Sequence, residues 1–247
     1  MIETGLRLEA REIRKRFGAI VVLDGVDFTV APDEAVGIVG PNGAGKTTLL
    51  SILSGAQAPS SGRVSLRGRD VTGMDSAARC RLGLVRTHQI PRPFNGMTAF
   101  ENVFVAAAHG EIFDRGEAYD RVVDALALCG MSRLANRRAE TLGLLDRKRL
   151  ELARALGANP NILLLDEIGG GLTDAEASEL VDVIRELRRR KIAIVWIEHI
   201  VHILLQVVER LVCMDQGRVI ADGEPRAVMS DPTVVEAYLG GDVHGAA

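Results

Sequence analysis

Residues 40–48 read GPNGAGKTT, and no other segment constrains the chain as tightly. Gly40, Gly45, Lys46 and Thr47 fill the fixed positions of the pattern G-x-x-x-x-G-K-[ST]. Just ahead, Ala35-Val36-Gly37-Ile38-Val39 reads as a buried strand, and a helix is expected from Lys46 to about Leu53. A strand that empties into a glycine-rich loop and then a helix is built to hold phosphate. Small residues let the backbone wrap close to the anion, and Gly43 and Gly45 can take torsions that other residues avoid. Successive N–H groups and the positive end of the helix then face the phosphates. The candidate nucleotide-binding set is Gly40, Pro41, Asn42, Gly43, Ala44, Gly45, Lys46, Thr47 and Thr48. Lys46 is expected to reach the β- and γ-phosphates and Thr47 to ligate Mg²⁺.

Two further apolar strands are legible, Ile162 to Leu165 and Ile192 to Ile197, and polar residues stand just past the end of each. Between them, Leu180, Val183, Ile184 and Leu187 mark one face of a helix over 174–190. Buried strands that alternate with helices imply a parallel sheet covered on both faces, with its ligand site beyond the carboxyl ends of the strands. Leu6 to Ala10 and Val26 to Val30 alternate as half-buried strands do. Residues from about 75 to 155 read mostly as helix, with breaks at Pro91, Pro93, Gly96, Gly110 and Gly130. Strands are expected around Arg210–Met214 and Arg218–Ala221, and a helix from Pro232 to Leu239.

Composition narrows the class. At 47% hydrophobic and 26% charged residues, the chain is an ordinary globular protein and not a disordered one. The most apolar stretch, Ile192 to Val208, is interrupted by Glu198, His199, His202 and Gln206, so no transmembrane segment is expected. No signal peptide is expected either. A net charge of -3 leaves no basic excess for a nucleic-acid partner. Cys80, Cys129 and Cys213 are too scattered for a disulfide framework or a metal site and read as packing residues. The basic clusters Arg137-Arg138, Arg147-Lys148-Arg149 and Arg188 to Lys191 read as solvated helix faces.

The strand ends supply the remaining chemistry. In a phosphate-loop NTPase the first carboxylate after such a strand supports Mg²⁺, which assigns Asp166. The next, Glu167, is placed to orient or deprotonate the attacking water. His199 stands at the same level one strand later, preceded by Glu198, where it can sense the γ-phosphate.

Together these residues resemble the ATP-binding subunits of ABC transporters, and among them those of branched-chain amino-acid importers. The resemblance spans nearly the whole chain and rests on an ordered set: GPNGAGKTT, VRTHQ at 85–89, MTAFENVFVA at 97–106, RLELARAL at 149–156, ILLLDE at 162–167, WIEH at 196–199 and EAYLG at 236–240. It implies an α/β fold with a P-loop NTPase core around a parallel sheet, an N-terminal antiparallel β layer and an inserted α-helical subdomain. The core would take residues 1–90 and 151–247, the helical subdomain 91–150, with Pro91-Arg92-Pro93 as its hinge. It also implies that Phe17 stacks on adenine and that Gln89 contacts Mg²⁺ or water and relays nucleotide state. ATP and Mg²⁺ are the implied ligands. The implied partners are a second ATPase subunit (the same chain or a different one), membrane-spanning permease subunits met by the helical lobe and, indirectly, a solute-binding protein. The chain would work at the cytoplasmic face of the membrane.

Two segments depart from the family pattern. The signature loop, normally LSGGQ, falls without a gap on Leu142-Gly143-Leu144-Leu145-Asp146, so both signature glycines are leucines. After Asp166-Glu167 the usual proline is Ile168, followed by Gly169-Gly170-Gly171, and Thr173 stands where Asp or Asn is common. In a heterodimer this chain's own nucleotide could still be hydrolysed, while the partner's would face Leu142–Asp146 and turn over slowly. A weakly hydrolysing regulatory module and a lipopolysaccharide-export ATPase are the alternatives. A soluble ATPase of DNA repair or translation would bring a coiled coil or a second ATPase domain. A GTPase would bring an N-K-x-D motif, which is absent.

Overall fold

The computed structural model describes residues 7–109 and 115–240. Two sheets form its centre. β1 (Leu8–Phe17) and β2 (Ile20–Val30) make an antiparallel hairpin, with Leu8 opposite Val30 and Phe17 opposite Ile20. β1 also pairs with β4 (Ser61–Leu66), and β4 with β5 (Arg69–Asp70), which completes an antiparallel layer in the order β2-β1-β4-β5. The second sheet contains β3 (Ala35–Val39), β6 (Leu84–Arg86), β7 (Ile162–Asp166), β8 (Ala193–Ile197), β9 (Arg210–Asp215) and β10 (Arg218–Gly223). Its order is β10-β9-β3-β8-β7-β6, parallel except for the β9–β10 hairpin. This is the expected α/β architecture with an N-terminal antiparallel layer.

The central strands are apolar throughout because both of their faces are covered. Successive side chains point to opposite faces. Val36 and Ile38 of β3, Leu164 of β7 and Val195 of β8 therefore pack towards the antiparallel layer and α1 (Lys46–Leu53). Val39, Leu165 and Trp196 pack the other way. That second face carries α6 (Asp174–Arg189), α5 (Leu144–Gly157), and the helices α3 (Ala99–His109) and α4 (Arg115–Leu128). α6 buries Leu180, Ile184 and Leu187 along the expected stripe. Thr173 caps it: its hydroxyl accepts from Glu176 N while the Glu176 carboxylate accepts from Thr173 N. Threonine thus fills the capping role that Asp or Asn would also fill at this position.

Three expectations need correction. The segment from 75 to 155 is not mostly helix up to its first break. α2 (Ser76–Arg81) is followed by β6, whose Leu84 and Arg86 register with Ile162 and Leu164 of β7. β4 and β5 lie in a stretch where no strand was expected. Three residues are too few for periodicity to separate strand from helix; pairing with a buried neighbour decides it. Lys148 is not on a solvated face but is 5% exposed within the core side of α5. Leu6, at the start of the first expected strand, lies outside the described residues.

Candidate active site

The phosphate loop leaves the carboxyl end of β3 and enters α1 at Lys46. Gly40 has φ 142° and passes so near β9 that a Cβ there would stand 2.0 Å from the Met214 carbonyl oxygen. Gly45, with φ 98°, precedes α1 and provides no side-chain cap, so the first N–H groups of the helix remain free to face an anion. Lys46 Nζ donates to Gly40 O at 2.6 Å and Pro41 O at 2.9 Å, which folds the side chain along its own loop. Burial lowers the Lys46 ammonium below its ordinary value, against the opposing pull of Glu167 and Asp166. The loop also has a support that the sequence does not announce. Gly40 N donates to the Tyr238 hydroxyl at 2.8 Å, from α9 (Pro232–Gly240).

Beside this loop the other parallel strands deliver their own end residues. In the order β3-β8-β7-β6 they present the phosphate loop, His199, Asp166-Glu167 and Gln89. A cavity of about 190 Å³ brings Asn42, Gly43, Lys46 and Thr47 together with Glu167 and His199. Thr48, Gly45 and Ala44 also line it, as does Val22 from the β1–β2 hairpin. Phe17 does not line it. Its ring stands at the end of β1, 47% exposed, with Lys15 Nζ 5.0 Å from its centroid.

Glu167 is the most constrained residue of the site. Its φ is 48°, a left-handed conformation that costs a non-glycine residue about 1–2 kcal/mol. Its N–H donates to Ile197 O at 2.9 Å. Its carboxylate is shared: Oε1 lies 2.9 Å from His199 Nε2, and Oε2 accepts from Gln89 Nε2. An ionised carboxylate only accepts, so this contact requires the proton of His199 on Nε2. Lys46, Gln89, Glu167 and His199 thus converge although they come from four separate strand ends.

Asp166 lies 2% exposed at the end of β7. Its Oδ2 accepts from Arg86 Nη2 at 2.6 Å, while Oδ1 is buried without a hydrogen-bond partner. Arg86 Nη1 reaches Ser51 Oγ at 2.9 Å, and Ser51 Oγ donates to Thr47 O at 2.7 Å. Arg86 therefore braces two of the three residues expected to hold Mg²⁺, Asp166 and Thr47. Among the described residues no cluster of three or more His, Cys, Asp or Glu side chains could hold a metal unaided. The unpartnered carboxylate oxygen of Asp166 instead fits Mg²⁺, which keeps waters and takes substrate phosphates as ligands.

The family described as ABC transporter matches residues 23–169, and one described as branched-chain amino acid ATP-binding cassette transporter matches 218–244. This chain belongs to the ABC transporter family. As an ABC cassette it is 36% identical over 249 residues to the high-affinity branched-chain amino acid transport ATP-binding protein LivG of Escherichia coli K12, covering 94% of this chain and 97% of that protein. It is 34% identical over 233 residues to the lipopolysaccharide export system ATP-binding protein LptB of Acidithiobacillus ferridurans, with 94% and 96% covered. The solved structure of the ADP conformation of MJ1267, an ATP-binding cassette of an ABC transporter, superposes with a TM-score of 0.88 at 32% identity over 96% of this cassette and 100% of that chain. Among the described residues of this cassette, no helix is long and apolar enough to cross a membrane.

The signature segment lies at the start of α5. Gly143 is the N-cap of α5, with no side-chain cap, and Leu144 and Leu145 form the first helical turn. Leu144 is 49% exposed. α5 continues unbroken through residues 150 and 151, so the segment from the signature region to the core is one rigid helix.

Proposed function

We propose that this chain is the ATP-hydrolysing subunit of an ABC importer for branched-chain amino acids or a related small solute. The observation that carries hydrolysis is the Glu167 carboxylate, held between Gln89 and His199 at the mouth of the phosphate-loop cavity. Lys46 exchanges two carbonyls of its own loop for phosphate oxygens, and the free N–H groups at the start of α1 accept the rest of the charge. Mg²⁺, held by Thr47 and through water by Asp166 and Gln89, would neutralise charge on the β- and γ-phosphates. Glu167 takes the proton of the attacking water, whose oxygen bonds to the γ-phosphorus as the bond to the bridging oxygen breaks. His199 holds Glu167 through Nε2 and reports the γ-phosphate. Phe17 is assigned to the adenine.

The likeness to LivG and the match at 218–244 support the solute class over lipopolysaccharide export. The chain would sit at the cytoplasmic face of the membrane, paired with a second ATPase subunit. Its helices between residues 91 and 150 would meet the permease subunits. Leucine at positions 144 and 145 supports an unequal pair, in which the nucleotide facing α5 turns over slowly.

Glu167→Gln should lower kcat by about 10²–10⁴-fold with ATP affinity retained, as the loss of a general base does. Unchanged turnover would sink the assignment. The equivalent change in the partner subunit should cost less, and equal losses would remove the asymmetry. Uptake of labelled leucine by cells carrying the membrane subunits tests the solute. A lipopolysaccharide-export defect on deletion, with uptake intact, would move the chain to the export class.

A further inference from the structure

Behind the active site, one peptide group is held at both of its ends by buried opposite charges. The carbonyl of Ile168 accepts from Lys148 Nζ at 2.8 Å, and the N–H of the next residue, Gly169, donates to Glu198 Oε1 at 2.5 Å. These two atoms belong to the same peptide unit, one residue past Glu167. Lys148 is 5% exposed and comes from α5; Glu198 is 2% exposed and follows β8. Glu198 also accepts from Trp196 Nε1 at 3.3 Å and, through Oε2, from His199 N at 3.2 Å.

We propose that Lys148 and Glu198 are positioning residues that clamp the Ile168–Gly169 peptide and thereby set the relative placement of Glu167 and His199. The proposal rests on the hydrolytic reading given above. One carboxylate holds the loop that follows Glu167 and the backbone of His199 at once, so the separation of the two side chains is fixed from behind. The clamp also explains glycine at position 169, because a Cβ there would stand 2.8 Å from Glu198 Oε1. Two charges enclosed in this way are costly unless each is paired or hydrogen-bonded. Burial pushes the Glu198 carboxyl up and the Lys148 ammonium down from their ordinary values, and each opposes the other's shift. Their opposed charges, aligned with the dipole of the peptide between them, are each satisfied by it. Because Lys148 lies one turn into α5, the clamp ties the Glu167 loop to the helix whose start carries Leu144 and Leu145.

Three substitutions test this: Glu198→Ala, Glu198→Gln and Lys148→Met. In the assembled ATPase pair, Glu198→Ala should lower kcat on the order of 10–100-fold, as a small displacement of reacting groups does, with KM for ATP unchanged. Glu198→Gln keeps an oxygen for Gly169 N and should retain more activity than the alanine variant. In the full chain alone, amide exchange at Gly169 should accelerate in all three, including Lys148→Met, which removes only the contact to Ile168 O. Trp196, the single tryptophan, should shift its emission in the Glu198 variants. Should Glu198→Ala not fold, the other two substitutions carry the test. Unchanged Gly169 exchange, or a kcat loss matched by an equal loss of ATP affinity, would overturn the clamp. A wild-type pair that binds but does not hydrolyse ATP would count against the functional reading, while the exchange measurement would still decide the clamp.

Discussion

The loop after β3 and the loop after β7 end neighbouring parts of one sheet and line one cavity, yet they are shaped by different means. The phosphate loop is shaped largely from within. Gly40, Gly43 and Gly45 all have positive φ, and Lys46 binds back onto Gly40 and Pro41. Among the described residues, its one long-range side-chain hydrogen bond is to the Tyr238 hydroxyl. The loop from Glu167 to Thr173 is shaped from without. Glu167 adopts a left-handed backbone without being glycine, held by Ile197 O, and the next peptide is gripped by Lys148 and Glu198. A loop that must present backbone N–H groups can be encoded locally. A loop that must present one carboxylate at a set angle needs braces from several elements.

Three substitutions press on this contrast. Lys46→Ala should weaken ATP binding on the order of 100-fold, the worth of two charged hydrogen bonds at ~1.5 kcal/mol each, read by titration with a fluorescent nucleotide. Retained affinity would assign binding to the N–H groups alone. Gly169→Ala should leave ATP binding intact but lower kcat about 10-fold, because the added Cβ forces the Glu198 carboxylate aside. Equal effects on binding and turnover would erase the distinction between the two loops. Tyr238→Phe removes the acceptor of Gly40 N and should cost about 1 kcal/mol, a fall of about 2–4 °C in Tm for a chain of this size. A larger loss of ATP affinity than of stability would make α9 part of the binding site.

The same contrast sorts what could be read in advance. β3, α1 and the end of β7 were legible because a fully buried strand is continuously apolar and a phosphate loop needs glycine and lysine at fixed spacing. Gln89 carries little signal alone and follows from the ordered set of motifs, whereas His199 follows from its place just past an apolar strand, after Glu198. β6 was hidden by its three-residue length. Arg86, Tyr238 and Glu198 were missed as braces because each acts on a residue distant in sequence: Asp166, Gly40 and Gly169. Lys148 was misread because a lysine between two arginines looks solvated, and only the packing of α5 against Ile168 buries it.

The sequence by itself determined the central strands of the parallel sheet, the phosphate cradle and the identity of the chemical groups, since these follow from hydrophobic periodicity and from local backbone requirements. Tertiary structure alone decided how those groups meet. The Glu167–His199 contact, the Arg86–Asp166 ion pair and the peptide held between Lys148 and Glu198 all join residues from separate elements. Hydrogen bonds of about 3 Å between such distant positions have no period or spacing in the chain. They exist only once parallel strands have brought their carboxyl ends to one edge.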